Sequence, residues 1–143
     1  MPSRRPEPPK WIERGLRAGA VVLSVAIVSF SLGPAPQESA LKISDKVVHG
    51  LAYFSLTLAV LLAWIGPWGR LVRPFQIAFS TTLLIVGGGL LIELAQSLVG
   101  RQTEELDALA NGVGAATALG LWSLLLSRTD AGAVGKRSAA DGK

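Results

Sequence analysis

Four long apolar stretches constrain this chain more than any other feature of its sequence. They predict helices near residues 16–33, 47–65, 75–99 and 107–126, separated by short segments rich in proline, glycine or charge. About 20 apolar residues let an α-helix cross the hydrocarbon core of a bilayer. Half of the residues are hydrophobic and only 17% are charged, which is too few polar side chains to cover a water-soluble surface. We therefore predict an all-α membrane protein, a bundle of four transmembrane helices.

The two ends of the chain differ from its apolar middle. Residues 1–15 are rich in proline and charge, and they predict a disordered basic segment. A membrane domain is expected over residues 16–127 and a flexible cytoplasmic tail over residues 128–143. The first apolar run is short for a span and follows basic residues, so a cleaved signal peptide is an alternative. The three later apolar runs favour a first helix that is retained.

The distribution of basic residues predicts the orientation in the membrane. Four spans place both termini on the same side. Of the 14 Lys and Arg residues, eleven fall on that side, and three, Lys42, Lys46 and Arg101, fall on the other. Because cytoplasmic loops carry an excess of Lys and Arg, we predict that both termini are cytoplasmic. The same distribution accounts for the basic pI without a nucleic-acid-binding patch, so no nucleic acid partner is expected.

Polar side chains gather at the extracytoplasmic ends of the last three predicted helices. Asp45, His49 and Tyr53 are spaced by four residues and share one face of the second helix. Glu93 and Gln96 are three residues apart in the third helix, and Asp107 and Asn111 are four residues apart in the fourth. Buried ionisable groups are costly in lipid and need partners, so we expect these side chains to meet. The candidate partners of Glu93 are His49, Lys46 and Arg101. The candidate ligand-binding residues are Asp45, Lys46, His49, Tyr53, Glu93, Gln96, Arg101, Asp107 and Asn111.

This pattern resembles the VanZ-like family, a group of small bacterial membrane proteins. The resemblance covers about residues 45–125 and is carried by DKVVH with a following Tyr at 45–53, ELAQ at 93–96, Arg101, and DALANGVG at 107–114. Gly50 departs from it, since family members usually have an aromatic residue there. The resemblance implies a multi-pass protein of the bacterial cytoplasmic (inner) membrane. It also implies a role in the cell envelope, in the response to glycopeptide antibiotics or in exopolysaccharide production.

The expected function is to bind or modulate an anionic envelope lipid or a lipid-linked glycan, with Lys46 and Arg101 at the phosphate. One alternative is a membrane-embedded enzyme in which Glu93 and His49 form an acid–base pair on such a lipid. Another is a purely structural cluster. The absence of a nucleophile motif argues against an enzyme. His49, Glu93 and Asp107 could ligate a metal, but a single imidazole is weak support, so no metal or other cofactor is predicted.

A repeat of small residues marks the fourth predicted helix. Gly112, Ala116 and Gly120 occur at a spacing of four, which places them on one face. In membranes, small residues at this spacing allow two helices to approach closely. We therefore predict that this face mediates a homo-oligomer, and that membrane lipids are the other partners of the protein.

Overall fold

The computed structural model describes residues 9–33, 45–66, 73–98 and 105–141, with the side chains of residues 106–128 in the last range. These residues form helices and no strand. The helices are α1 (Lys10–Leu32), α2 (Asp45–Val60, continued by a π-helical turn at Leu61–Ile65), α3 (Pro74–Leu98) and α4 (Glu105–Asp141). All four are long and apolar enough to cross a membrane. The predicted all-α class and the four spans are confirmed within the described residues.

Proline and glycine set the ends of the helices. Pro9 precedes α1, and Pro74 is the first residue of α3, a position where the missing N–H of proline costs nothing. Gly33 ends α1 in an extended conformation, with φ −73° and ψ 171°, as the residue before a proline requires. Gly66 ends the π-helical turn with φ 62°, and its N–H donates to the carbonyl of Leu61 over 2.8 Å. A positive φ favours glycine at that position.

Two predicted helix boundaries are corrected by the structure. Helix α1 begins at Lys10 rather than at residue 16, so part of the predicted disordered segment is helical. Glu13 in its first turn interacts favourably with the positive end of the helix dipole. Helix α4 continues to Asp141, beyond the boundary predicted at residue 126. The tail is rich in Ala, Lys and Arg, which favour helix, and lengthening an existing helix needs no new nucleus.

The bundle buries polar side chains and exposes apolar ones, the reverse of a water-soluble protein. Phe30, Leu84 and Leu98 are 81%, 77% and 82% exposed. Contiguous exposed apolar surface of this kind is rare on soluble monomers. Among the residues whose side chains are described, the buried polar ones are Thr57, Thr82, Gln96, Asp107 and Asn111. Lipid can cover the apolar exterior, and the interior groups can bond to one another. The four apolar helices and this inverted distribution indicate a multi-pass membrane protein.

The helices pack so that the two ends of the bundle differ in chemistry. Helix α2 lies against α4 more extensively than any other described pair. One end holds an apolar core of Leu61, Ile65, Ala78 and Trp122. Near that end Arg17 of α1 donates through Nε to the carbonyl of Ala63 over 3.4 Å. The polar residues of α2, α3 and α4 meet at the opposite end, where α1 and α3 finish and α2 and α4 begin.

Candidate functional site

A chain of hydrogen bonds links three helices at the polar end of the bundle. Asn111 of α4 lies between Glu93 of α3 and His49 of α2. Its Nδ2 donates to Oε1 of Glu93 over 2.9 Å, and its Oδ1 lies 3.2 Å from Nδ1 of His49. Asn111 is only 3% exposed, so both bonds are shielded from competing polar groups. The amide of Asn111 therefore holds α2, α3 and α4 in register at this level of the bundle.

The direction of these bonds determines the tautomer of His49. A carboxyl oxygen of Glu93 accepts, so the amide nitrogen of Asn111 faces Glu93 and the amide oxygen faces His49. An amide oxygen can only accept, so Nδ1 of His49 carries the proton. In the neutral ring, Nε2 then keeps its lone pair. That nitrogen is the position at which the ring can take a proton or a metal ion.

Charged side chains lie close to the His49 ring. Oδ2 of Asp45, one turn earlier in α2, is 3.7 Å from Nε2. Nζ of Lys46 is 3.8 Å from Oδ1 of Asp107, in the first turn of α4. The side chain of Asp45 is 74% exposed, whereas that of Asp107 is 11% exposed. The site is thus open at Asp45 and closed at Asp107.

Two glycines let α2 and α4 approach closely enough for these contacts. A Cβ atom on Gly114 would collide with the carbonyl oxygen of Gly50 and would lie 3.1 Å from the backbone nitrogen of Phe54. A Cβ on Gly50 would make an ordinary contact of 3.5 Å with the carbonyl of Ala110. Gly50 is the position that departs from the VanZ-like pattern. Here its backbone, rather than a side chain, forms the contact with α4.

Tyr53 closes the inner side of the site, one turn beyond His49 along α2. It is 4% exposed and packs over Gly89 of α3. A Cβ on Gly89 would lie 2.6 Å from Oη of Tyr53 and 2.8 Å from two of its ring carbons. Of the three consecutive glycines in α3, the third therefore makes a close contact with α2. A Cβ on Gly87 or Gly88 would meet nothing within 4 Å.

A partly open groove of about 720 Å³ extends from the polar site between α1 and α2. Asp45, His49 and Tyr53 all line it, which confirms the prediction that these three residues share one face of α2. Apolar side chains form most of the remaining wall. They include Leu23, Ala26, Ile27 and Phe30 of α1 and Val48 and Ala52 of α2. The groove therefore joins a long apolar surface to a cluster of ionisable groups.

Gln96 connects the site to the end of α1, a contact that was not predicted. Its Nε2 donates to the carbonyl of Ser31 over 2.6 Å, and both residues line the groove. The last carbonyls of a helix have no partner within the helix, and Gln96 supplies one. No residue of α1 was predicted to belong to the site. The contact has no sequence signal, because the acceptor is a backbone carbonyl that any residue would provide.

Some predicted pairs differ from those in the structure. His49, Lys46 and Arg101 were the predicted partners of Glu93, and among the described residues the hydrogen bond to Glu93 comes from Asn111. Lys46 pairs with Asp107. Arg101 lies outside the described residues. The acid–base alternative placed Glu93 directly beside His49, whereas Asn111 bridges them. The other predicted binding residues lie at the polar end of the bundle, and their ligand-binding role stays a prediction.

The stripe of small residues on α4 lies away from the contacts within the bundle. Ala116 and Gly120 are exposed, and a Cβ on Gly112 or Gly120 would meet nothing within 4 Å. The bundle instead packs against the neighbouring face, where Ala115 and Ala118 are fully buried. The stripe is therefore accessible within the described chain, and self-association through it stays a prediction.

Comparison with known proteins adds no relative to this description. No family model, curated protein or solved structure matches the chain. The resemblance to the VanZ-like family accordingly rests on the residues quoted from the sequence. The geometry of the polar site and of the groove is what bears on function.

Proposed function

We propose that this protein binds an anionic lipid or lipid-linked glycan of the bacterial cell envelope. The lipid chain occupies the groove between α1 and α2, and the phosphate-bearing headgroup lies at the polar site. This proposal rests on one observation, that the polar site and the apolar groove are continuous. Asp45, His49 and Gln96 line one end of an otherwise largely apolar groove of about 720 Å³. Ligand pockets typically measure about 300–1,000 Å³ and combine apolar walls with a few polar groups.

Positive charge at the same end supports an anionic headgroup. Lys46 is 37% exposed and lies in the first turn of α2. Helices α2 and α4 both begin at this end, and the N-terminus of a helix carries partial positive charge that attracts phosphate. Arg101, outside the described residues, is the second cation that the sequence places between α3 and α4. The resemblance to the VanZ-like family supports a cell-envelope ligand.

The hydrogen-bond chain through Asn111 favours a second candidate, in which the polar cluster only holds the helices together. Interhelical hydrogen bonds in membranes are worth about 0.6–1.7 kcal/mol each, enough to stabilise one arrangement of α2, α3 and α4. This role requires neither the groove nor the exposed carboxylate of Asp45. A lipid-binding measurement therefore separates the two candidates.

Filling the groove should abolish lipid retention while leaving the fold intact. Ala26 lines the groove, and Ala26→Trp would place an indole where the lipid chain is proposed to lie. We expect native mass spectrometry of the purified protein to show retained phosphatidylglycerol or undecaprenyl phosphate in the wild type and little in this variant. Val25→Trp is the matched control, because the adjacent Val25 is 60% exposed and is not part of the groove wall.

The same preparation distinguishes binding from catalysis. After incubation with a radiolabelled lipid-linked cell-wall precursor, retention without turnover supports the binding proposal. Conversion of the precursor by the wild type would favour the enzyme alternative. Equal lipid retention by the wild type and Ala26→Trp, or none by either, would leave the structural role as the explanation of the cluster.

The proposed orientation places the polar site on the extracytoplasmic face. A reporter that is active only in the cytoplasm should therefore be active when it is fused after Lys143. The same reporter inserted between α1 and α2 should be inactive, since that connection lies on the other side in this topology. The opposite pair of results would place the site on the cytoplasmic face and remove extracytoplasmic lipids as ligands.

A further inference from the structure

Three potential metal ligands converge at the open edge of the polar site. Asp45 and His49 come from successive turns of α2, and Asp107 comes from the first turn of α4. Each offers one ligand atom, and these atoms all lie within 4.8 Å of one another. Ligand atoms bound to one zinc ion at about 2.1 Å lie roughly 3.4 Å apart in tetrahedral geometry. The three ligand atoms therefore already lie close to the spacing that one bound ion requires, and the exposed Asp45 side chain is free to adjust.

The hydrogen bond behind His49 prepares the ring for this role. Nδ1 donates to Asn111, whose amide is oriented by Glu93. Nε2 therefore presents a lone pair toward the carboxylate of Asp45, 3.7 Å away. A cation bound between these two atoms would make the contact favourable. Metal-ligating histidines almost always donate their other ring N–H to a neighbouring acceptor, as His49 does here.

A buried carboxylate oxygen provides a second, independent observation. Asp107 is 8% exposed, and its Oδ1 is buried without a hydrogen-bond donor in the described residues. Nζ of Lys46, at 3.8 Å, is too far away to donate a hydrogen bond to this oxygen. The ion pair with Lys46 offsets part of the cost of burying this charge, but the oxygen accepts no hydrogen bond from the described residues, and a buried charge that is only partly satisfied is unfavourable. A coordinated cation would supply the missing interaction.

We propose that Asp45, His49 and Asp107 bind one divalent cation of the zinc class. An imidazole nitrogen with two carboxylate oxygens suits zinc better than magnesium or calcium, which prefer oxygen ligands alone. Three protein ligands leave a coordination position open, as in catalytic rather than structural zinc sites. The set differs from the sequence-based alternative in that Asp45 replaces Glu93, which instead orients the amide of Asn111.

The cation would change the electrostatics that a headgroup meets. Asp45, Asp107 and Lys46 together carry a formal charge of −1, and a divalent cation changes this to +1. A phosphate oxygen could then occupy the open coordination position. This consequence rests on the proposed lipid-binding function, whereas the metal site itself does not.

The test uses the full chain in lipid-free detergent, without a polyhistidine tag and after treatment with EDTA. Titration with Zn²⁺ in a calorimeter should show one ion bound per chain. His49→Gln removes the imidazole ligand and should weaken Zn²⁺ binding by about 100-fold or more, since loss of outer-shell partners alone costs 10–100-fold. Asp45→Asn should also weaken it. Because the Asp45 side chain is 74% exposed, Asp45→Asn is expected to fold. It therefore tests the metal site even if His49→Gln does not fold.

Glu13→Gln is the matched control, because it removes the same charge at the opposite end of the bundle and should bind Zn²⁺ as the wild type does. Circular dichroism and gel filtration verify that each variant is folded. An absence of Zn²⁺ binding by the wild type would overturn the proposal. Unchanged affinity in either folded variant would assign the ion to other residues and overturn it equally. Because no lipid is present, either result leaves the lipid-binding proposal to its own test.

Discussion

Replacing Gly114 with alanine should lower the melting temperature of the detergent-solubilised protein and disrupt the polar site. The new methyl group would collide with the carbonyl oxygen of Gly50 and approach the backbone nitrogen of Phe54 to 3.1 Å. Both neighbours are backbone atoms in the middle of α2, so relief requires α2 and α4 to separate. Overpacking of this kind typically destabilises a protein by about 1–3 kcal/mol. Thermal unfolding followed by circular dichroism measures the effect.

Gly112→Ala is the control for this prediction. Gly112 lies in the same helix, two residues away, and a Cβ there would meet nothing within 4 Å. Alanine favours helix over glycine by about 0.8–1.0 kcal/mol, so the melting temperature should stay the same or rise. Separation of α2 and α4 would also lengthen the contact between His49 and Asn111. A Gly114→Ala protein that melts and binds Zn²⁺ like the wild type would show that α2 and α4 do not pack as described.

Replacing Gly89 with alanine should be the next most damaging single change. Its Cβ would lie 2.6 Å from Oη of Tyr53 and 2.8 Å from the ring, and Tyr53 is 4% exposed. The ring is rigid and enclosed, so it can move only by displacing its neighbours or by entering the groove. We expect a loss of stability of about 1–3 kcal/mol. Because Tyr53 lines the groove, lipid retention should also change.

A double-mutant cycle tests whether the effect acts through Tyr53. In a Tyr53→Ala background the space opposite Gly89 is open, so Gly89→Ala should be much less damaging there than in the wild type. Gly88→Ala serves as the control, because a Cβ on Gly88 would meet nothing within 4 Å. Equal losses of melting temperature from Gly89→Ala with and without Tyr53 would show that this contact is not the cause.

These glycine contacts explain why helical periodicity identified faces of the helices but not the partners of individual residues. Spacing along one helix places Asp45, His49 and Tyr53 on one face whatever the neighbouring helices do. The partner of Glu93 depends on the axial offset and rotation of α3 relative to α4. Gly114 determines how close α4 lies to α2, and Gly89 does the same for α3. Charge favours Lys46 or Arg101 as the partner of Glu93, whereas among the described residues the neutral amide of Asn111 donates to it.

Helix α1 likewise has properties that the sequence predicts and contacts that only helix packing determines. Its length and apolar composition predict a span, and its end at Gly33 follows from the proline after it. Its place in the candidate site does not follow from composition. Gln96 bonds to a backbone carbonyl of Ser31, and the groove is formed by unremarkable aliphatic side chains of α1 opposite α2. Such aliphatic surfaces form a groove only when two helices lie side by side.

The sequence by itself determined the helical class, the four spans and the end of the bundle where polar residues gather. These properties follow from local composition and from the energetic requirement that helices in lipid be long and apolar. Only the tertiary structure decided the pairing of Lys46 with Asp107 and the hydrogen bonds of Asn111 to Glu93 and His49. It also decided the grouping of Asp45, His49 and Asp107. Contacts between helices depend on their separation and rotation, and these are determined by packing at a few glycines.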